Sequence, residues 1–408
     1  MAPRFPALST APLLLSVIVQ LSAASQPPAP PRLTLQAALA AAAESNRLLA
    51  AVRLTGAIDR AGIGVARERP NPDFTFEADR DVPRQAFGLG LPFETAGKRA
   101  RRIDVATATL AHTEVLVAVV ALEVRRQVRV AYFDLVAATR RVAITEELRG
   151  LAGRLRDAAA ARFESGAAPR LESLQAQLAL AQAENEAAAA AGRLLAARAS
   201  LNTLIGRPTD TAIEPADDFD VGPPPPLDLA AALVANVDLA VLDREIAQAV
   251  AQQRLARAMQ SPDPTVTGRF ERDVEPDFMY GWQFETTITI PLFTRHRAAV
   301  LVGEARVTQL RAEREAILAR VTGDASAALA RSMAARQQFL RYRDEILPQS
   351  TEIERMAEDS YRSGQSGLVV FLQALQAGRE VRLRAAEAGV DYQAAMADLE
   401  RALGVPLP

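Results

Sequence analysis

The chemistry open to this chain is bounded first by the residues it lacks. Its 408 residues include no cysteine and two histidines, His112 and His296. Disulfides, thiolate metal sites and cysteine nucleophiles are therefore excluded. His112 falls within a long helical stretch and His296 follows an alternating strand. Neither has an acidic residue at the spacing of a His-Glu-x-x-His metal motif. No glycine-rich loop follows a strand to cradle phosphate, so no nucleotide site or other cofactor is expected, and no catalytic residue is assigned. With 47 basic against 49 acidic residues, the charge balance gives no reason to expect nucleic acid as a partner. The reading is of a protein that is not an enzyme.

The charges that stand out are positional. Lys98, Arg99, Arg101 and Arg102 follow one strand, and Arg295 and Arg297 flank His296 after another. Cations at a helix N-terminus oppose the helix dipole. Their recurrence points to another partner, for which anionic lipid headgroups at a membrane interface would serve; ordinary solvated helix starts are the plainer reading.

Elements that could position such residues come in two matched sets. Arg162-Phe163-Glu164-Ser165-Gly166, then Leu171 and Leu174-Gln175-Ala176, lead through an Ala-rich run to Gly206-Arg207-Pro208. Ser360-Tyr361-Arg362-Ser363-Gly364, then Val369 and Leu372-Gln373-Ala374, lead through a similar run to Gly404-Val405-Pro406. One offset relates Gly166 to Gly364, Gln175 to Gln373 and Gly206 to Gly404. A period near half the chain marks a duplicated unit, not a solenoid.

Each copy reads helix, two strands, long helix, turn, helix. Leu35 to about Arg69 has helical spacing and stops at Pro70-Asn71-Pro72; Leu229 to about Met259 stops at Pro262-Asp263-Pro264. The strands are placed at Asp73–Asp79, Ala86–Phe93, Thr265–Arg272 and Gly281–Ile290. Trp282, Phe284, Ile288 and Ile290 form an apolar face opposite Gln283, Glu285, Thr287 and Thr289. Long helices are expected from Gly97 to Phe163 and from His296 to Tyr361. At roughly 65 residues each would reach about 100 Å, with two shorter helices stacked end to end alongside.

Residues 1–24 read as a secretory signal peptide, 25–32 as a Pro-rich leader, 33–216 and 227–408 as the two repeats, and 217–226 as a Pro-rich linker. No later run supplies about 20 uninterrupted apolar residues, so any membrane contact is expected through strands. Strands of about 7–10 residues with one apolar face fit a transmembrane β-barrel. Four cannot close a channel, whereas three chains together could, which points to a homotrimer.

This order, with Pro-Asn-Pro before the first strand pair and Gly-x-Pro closing each repeat (Leu-Gly-x-Pro in the second), resembles the TolC-like outer membrane efflux proteins. The segments Pro92-Phe93-Glu94-Thr95-Ala96-Gly97-Lys98-Arg99 and Ile290-Pro291-Leu292-Phe293-Thr294-Arg295 are similar to those of the cobalt, zinc and cadmium resistance branch. The resemblance implies a mainly α, internally duplicated chain whose four strands join a trimeric twelve-stranded β-barrel above a long periplasmic α-helical barrel. It further implies residence in the outer membrane of a Gram-negative bacterium, a periplasmic adaptor and an inner-membrane resistance-nodulation-division type pump. Many relatives carry an acylated cysteine that this chain lacks, so no lipid anchor is expected.

On that resemblance the turns bearing Phe163, Ser165 and Gly166 and Tyr361, Ser363 and Gly364 are the tips that dock the adaptor. As geometry alone they need be no more than helix turns. Glu172, just beyond the first tip, would form a constriction if repeated around an axis, or else a solvated helix charge. The functional expectation is an exit duct for divalent heavy-metal cations. The alternatives are the same duct for drugs or for type I protein secretion, and, from another class, a periplasmic coiled-coil adaptor or scaffold.

Overall fold

The computed structural model describes residues 31–80, 83, 85–219, 222–224, 229–272 and 280–406. The expected signal peptide, most of the leader and part of the linker lie outside the described residues.

Helix α1 (Leu35–Ser45) is followed at once by α2 (Arg47–Arg67), and strands β2 (Asp73–Ala78) and β3 (Gln85–Pro92) by α3 (Lys98–Glu164) and α4 (Arg170–Leu204). The second set has α5 (Leu229–Ala235), α6 (Val237–Ala258), β5 (Pro264–Arg272), β6 (Tyr280–Ile288), α7 (Arg297–Arg341), α8 (Leu347–Arg362) and α9 (Leu368–Leu403). A short parallel pair, β1 (Arg32–Leu33) with β4 (Glu214–Pro215), was not expected from the sequence. At 67 residues, α3 extends about 100 Å. It packs against α2, α4, α6 and α9 along its length.

Two expectations are corrected. The helix read as continuous from Leu35 to Arg69 breaks at Asn46, and its counterpart breaks at Asn236. Each asparagine leaves the helical region and caps the next helix with its side chain. Asn46 Oδ1 accepts from Leu49 N at 3.0 Å, and Asn236 Oδ1 accepts from Asp238 N at 2.9 Å and Leu239 N at 3.2 Å. The long helix of the second copy is interrupted by a π-turn at Tyr342–Ile346. Pro348 follows; its ring would clash with the carbonyl four residues back, and the wider turn accommodates it. By length and composition alone, α3 also contains a stretch apolar enough to cross a membrane. Glu114 and Glu123 interrupt the run without making it polar overall.

The stacking of short helices is seen directly. The C-terminal end of α4 meets the start of α2, where Asn46 Nδ2 donates to the Leu204 carbonyl at 2.9 Å. The end of α9 meets the start of α6, where Asn236 Nδ2 donates to the Ala402 carbonyl at 3.2 Å. A large buried cluster includes Ala42, Leu201 and Ile205 near the first joint. Tyr132 meets Phe133 edge-on at 5.3 Å between ring centroids, and Phe133 stacks on Phe219 at 5.8 Å. Tyr132 Oη donates to the Leu33 carbonyl at 2.8 Å and lies 3.1 Å from Asp217 Oδ2, which accepts from Leu35 N at 2.7 Å. Burial above all pushes the Tyr132 hydroxyl up to about 12.

The main sheet has four strands in the order β2-β3-β5-β6, all antiparallel, so the two copies meet at β3 and β5. Within the described residues β2 and β6 each have one neighbour and present open edges. Ile290, expected on the last strand, lies beyond its end at Ile288.

Candidate functional site

The two turns between the long and return helices have the same hydrogen bonds. Gly166 N donates to the Phe163 carbonyl and Ala167 N to the Arg162 carbonyl, at 3.0 and 2.8 Å. Gly364 N donates to the Tyr361 carbonyl and Gln365 N to the Ser360 carbonyl, at 3.1 and 2.9 Å. Both are helix C-terminal caps closed by a left-handed residue, with φ of 76° at Gly166 and 74° at Gly364. Ser165 Oγ and Ser363 Oγ each bond a preceding helix carbonyl, so these hydroxyls reinforce the turns.

The tips differ in their aromatic residue. Phe163 is 43 % exposed, whereas Tyr361 is 8 % exposed and stacks on Phe371 with ring centroids 5.8 Å apart. Tyr361 Oη donates to Glu172 Oε1 at 2.9 Å, and Arg162 Nη1 donates to the same oxygen at 3.1 Å. Arg162 also lies over the Tyr361 ring, 5.6 Å from its centroid. Within the chain, Glu172 is thus a clasp between the two hairpins. Its side chain is 13 % exposed. Burial first, then the bond to Glu172, raises the Tyr361 hydroxyl above its ordinary range. Arg162 and Phe371 were missed by the sequence reading, because only the tertiary fold brings them to Glu172 and Tyr361.

The basic residues after β3 are mostly absorbed by the protein. Lys98 is 5 % exposed, and its Nζ donates to Asp263 Oδ2 at 2.6 Å and to the Ser261 carbonyl at 2.7 Å. Asp263 Oδ1 also accepts from Thr95 N at 2.7 Å and Thr95 Oγ1 at 3.1 Å. Burial opposes ionisation of Asp263. The Lys98 ammonium and the two Thr95 donors outweigh it and hold the carboxyl below its usual range. Arg99 Nε donates to the Arg67 carbonyl, Arg102 pairs with Glu94, and Arg101 pairs with Asp104 at 2.9 Å. Within the single chain, Lys98, Arg99 and Arg102 thus fasten the strand–helix junction, while the Arg101–Asp104 pair lies within α3 and stays half exposed. In the second basic cluster, Arg297 is exposed and Arg295 Nε donates to the Leu292 carbonyl at 2.9 Å.

The sheet separates its faces as the alternation predicts. Phe76 lies opposite Phe87, Phe87 opposite Phe270, and Phe270 opposite Trp282, all on one face with Phe74, Leu89, Phe284 and Ile288. The other face carries Thr75, Glu77, Thr267, Arg269, Gln283, Glu285 and Thr287. Arg269 pairs there with Glu77 and Glu271. Phe74, Trp282, Phe284 and Ile288 are exposed in the single chain. Among the described residues no group of three or more His, Asp or Glu side chains gathers as a metal site. The chemistry offered is that of a surface with one apolar and one charged face, carried on helices of great length.

Known proteins share this arrangement. The chain is 27 % identical over 378 residues to the cobalt-zinc-cadmium resistance protein CzcC of Cupriavidus metallidurans, covering 91 % of this chain and 90 % of that protein. It is 26 % identical over 326 residues to the nickel-cobalt-cadmium resistance protein NccC of Alcaligenes xylosoxydans xylosoxydans, covering 75 % and 70 %. The solved structure of CusC superposes with a TM-score of 0.76 at 18 % identity, covering 91 % of this chain and 92 % of that one. The profile of the outer membrane efflux proteins matches residues 38–207 and 229–405, one match on each copy. With nearly all of both repeats so matched, on a TolC-like channel fold, the chain belongs to the outer membrane efflux protein family and is an outer-membrane channel reaching into the periplasm.

Proposed function

We propose that three copies of this chain form the exit duct of a tripartite, proton-driven exporter of divalent heavy-metal cations. The observation that carries the duct is the four-stranded sheet with one apolar face and two open edges. Three such sheets joined edge to edge close a barrel, and closure satisfies every edge N–H and C=O in lipid. The apolar face bearing Trp282, Phe284 and Ile288 then meets lipid, and the face bearing Glu77, Arg269 and Glu285 lines water. The helices carry the conduit across the periplasm to the tips around Gly166 and Gly364, where a periplasmic adaptor docks and links the duct to an inner-membrane pump.

The cargo is drawn from the names of the relatives, two of which are resistance proteins for cobalt and cadmium. The polar sheet face carries both signs of charge, which suits passage of hydrated ions without tight capture. Selection among cargoes then belongs to the pump. Deleting the gene in its host should lower tolerance to cobalt, zinc or cadmium, and a plasmid copy should restore it. Unchanged metal tolerance with lost resistance to organic toxicants would replace this cargo with a drug-type one.

A further inference from the structure

The junction between the two copies inside one chain is a template for the junction between chains. Leaving β3, the backbone of Phe93 donates to the Pro264 carbonyl at 2.9 Å, and Thr95 and Lys98 seize the Pro262-Asp263-Pro264 segment that enters β5. The turn leaving β6 has the same parts in the same order. Pro291, Leu292, Thr294 and Arg297 correspond to Pro92, Phe93, Thr95 and Lys98, and α3 and α7 both start after a residue of positive φ, Gly97 and His296. The segment entering β2, Pro70-Asn71-Pro72, corresponds to Pro262-Asp263-Pro264. The turn leaving β6 and the segment entering β2 sit at opposite outer edges of the sheet and do not meet within the chain.

Their local conformation differs from the template in one respect. The Leu292 N–H, counterpart of the Phe93 N–H, bonds the Ile290 carbonyl of its own chain at 2.9 Å. Correspondingly β6 ends at Ile288, short of Pro291, whereas β3 runs through to Pro92. Asn71, Thr294 and Arg297 are all exposed.

We propose that the turn Thr294–Arg297 of one subunit grips Asn71 of the partner subunit, repeating at the subunit boundary the grip of Thr95 and Lys98 on Asp263. Leu292 N–H then donates to the carbonyl of Pro72 of the partner subunit, and β6 extends by pairing with the neighbouring β2 edge. The inference rests on the trimer reading above and adds the residues that make the joint. The two kinds of joint differ in charge. Inside the chain an ammonium meets a carboxylate; between chains a guanidinium meets a neutral amide, whose oxygen and neighbouring carbonyls can accept its several N–H donors.

The chain has no native cysteine, so the joint can be tested by disulfide capture. Asn71→Cys with Thr294→Cys, oxidised in detergent-solubilised full-length protein, should give a covalent trimer on a non-reducing gel that reverts to monomer on reduction. Neither single variant should form the ladder. Native mass spectrometry of the same samples reports the trimer independently. A trimer by mass without disulfide capture overturns the proposed joint and leaves the trimer standing; no trimer by mass overturns both. Should the double variant fail to fold, Asn71→Asp offers Arg297 a carboxylate and should raise the temperature at which the trimer dissociates by several degrees. Adding Arg297→Gln should remove the gain. An Asn71→Asp trimer no more stable than the parent also overturns the joint.

Discussion

Asn46 joins two helices that are not consecutive: its Nδ2 donates to the Leu204 carbonyl at 2.9 Å while its Oδ1 caps α2 through Leu49 N at 3.0 Å. One side chain thus pairs an otherwise unsatisfied carbonyl at the end of α4 and an otherwise unsatisfied N–H at the start of α2. Asn236 does the same for α9 and α6. Replacing Asn46 with Ala should cost about 1–2 kcal/mol for the lost cap and the unpaired carbonyl. Asn236→Ala should cost a similar amount, and the double variant close to the sum, because the two joints share no partner. Denaturation midpoints in detergent check this; strongly non-additive losses would show that the joints are coupled.

At the tips the requirement is backbone conformation alone. A Cβ at Gly364 would meet nothing within 4 Å, yet its φ of 74° is one that L-residues rarely adopt. Gly364→Val should therefore cost about 1–3 kcal/mol locally and reduce adaptor cross-linking and export while trimer yield is unchanged. Gly206→Val is the contrast, because a Cβ there would lie 2.4 Å from the Ser45 carbonyl oxygen. It should lower folded yield. Normal adaptor cross-linking by a trimeric Gly364→Val protein would reduce the tip to a plain turn.

The sheet faces can be told apart by charge insertion. Phe284→Arg should cost about 2–4 kcal/mol in bilayer-inserted protein, and Thr287→Arg far less. Single cysteines on each face should divide in the same way: water-soluble maleimide should label Cys at 283, 285 and 287 and spare Cys at 282, 284 and 288. Equal labelling of both sets would reverse the assignment of lipid and water.

The Lys98–Asp263 joint sets a pH dependence. Because the Asp263 carboxyl is held below its usual value of 3.8 in the fold, its contribution is complete above that value. The contribution fades as pH falls through the lower folded value. The stability advantage of the parent over Asp263→Asn should be constant from neutral pH to about 5 and shrink below 4. An advantage that grew on acidification would contradict the sign.

How much of this was legible in the sequence depended on how local each signal was. The strand faces were readable because alternation has a period of two, and Phe270 and Trp282 meet across the sheet as that alternation requires. The tips were readable because glycine at a helix end is a local signal, repeated twice. The breaks at Asn46 and Asn236 were not read, although asparagine is a strong local N-cap; the helix-forming runs on both sides masked the signal. The π-turn before Pro348 was overlooked although the proline was its signal. Glu172 and Lys98 were legible as charges but not with their partners, because Tyr361 lies 189 residues from Glu172 and Asp263 lies 165 from Lys98. Their distant partners are set by the pairing of the two repeats.

Lys98 is also the only lysine of the chain. Its amine is enclosed by Asp263 and the Ser261 carbonyl, so an acylating reagent aimed at side-chain amines finds its single target folded away at the base of the barrel. The rate of acylation at that nitrogen therefore clocks how often the junction opens, site by site and without any engineered label.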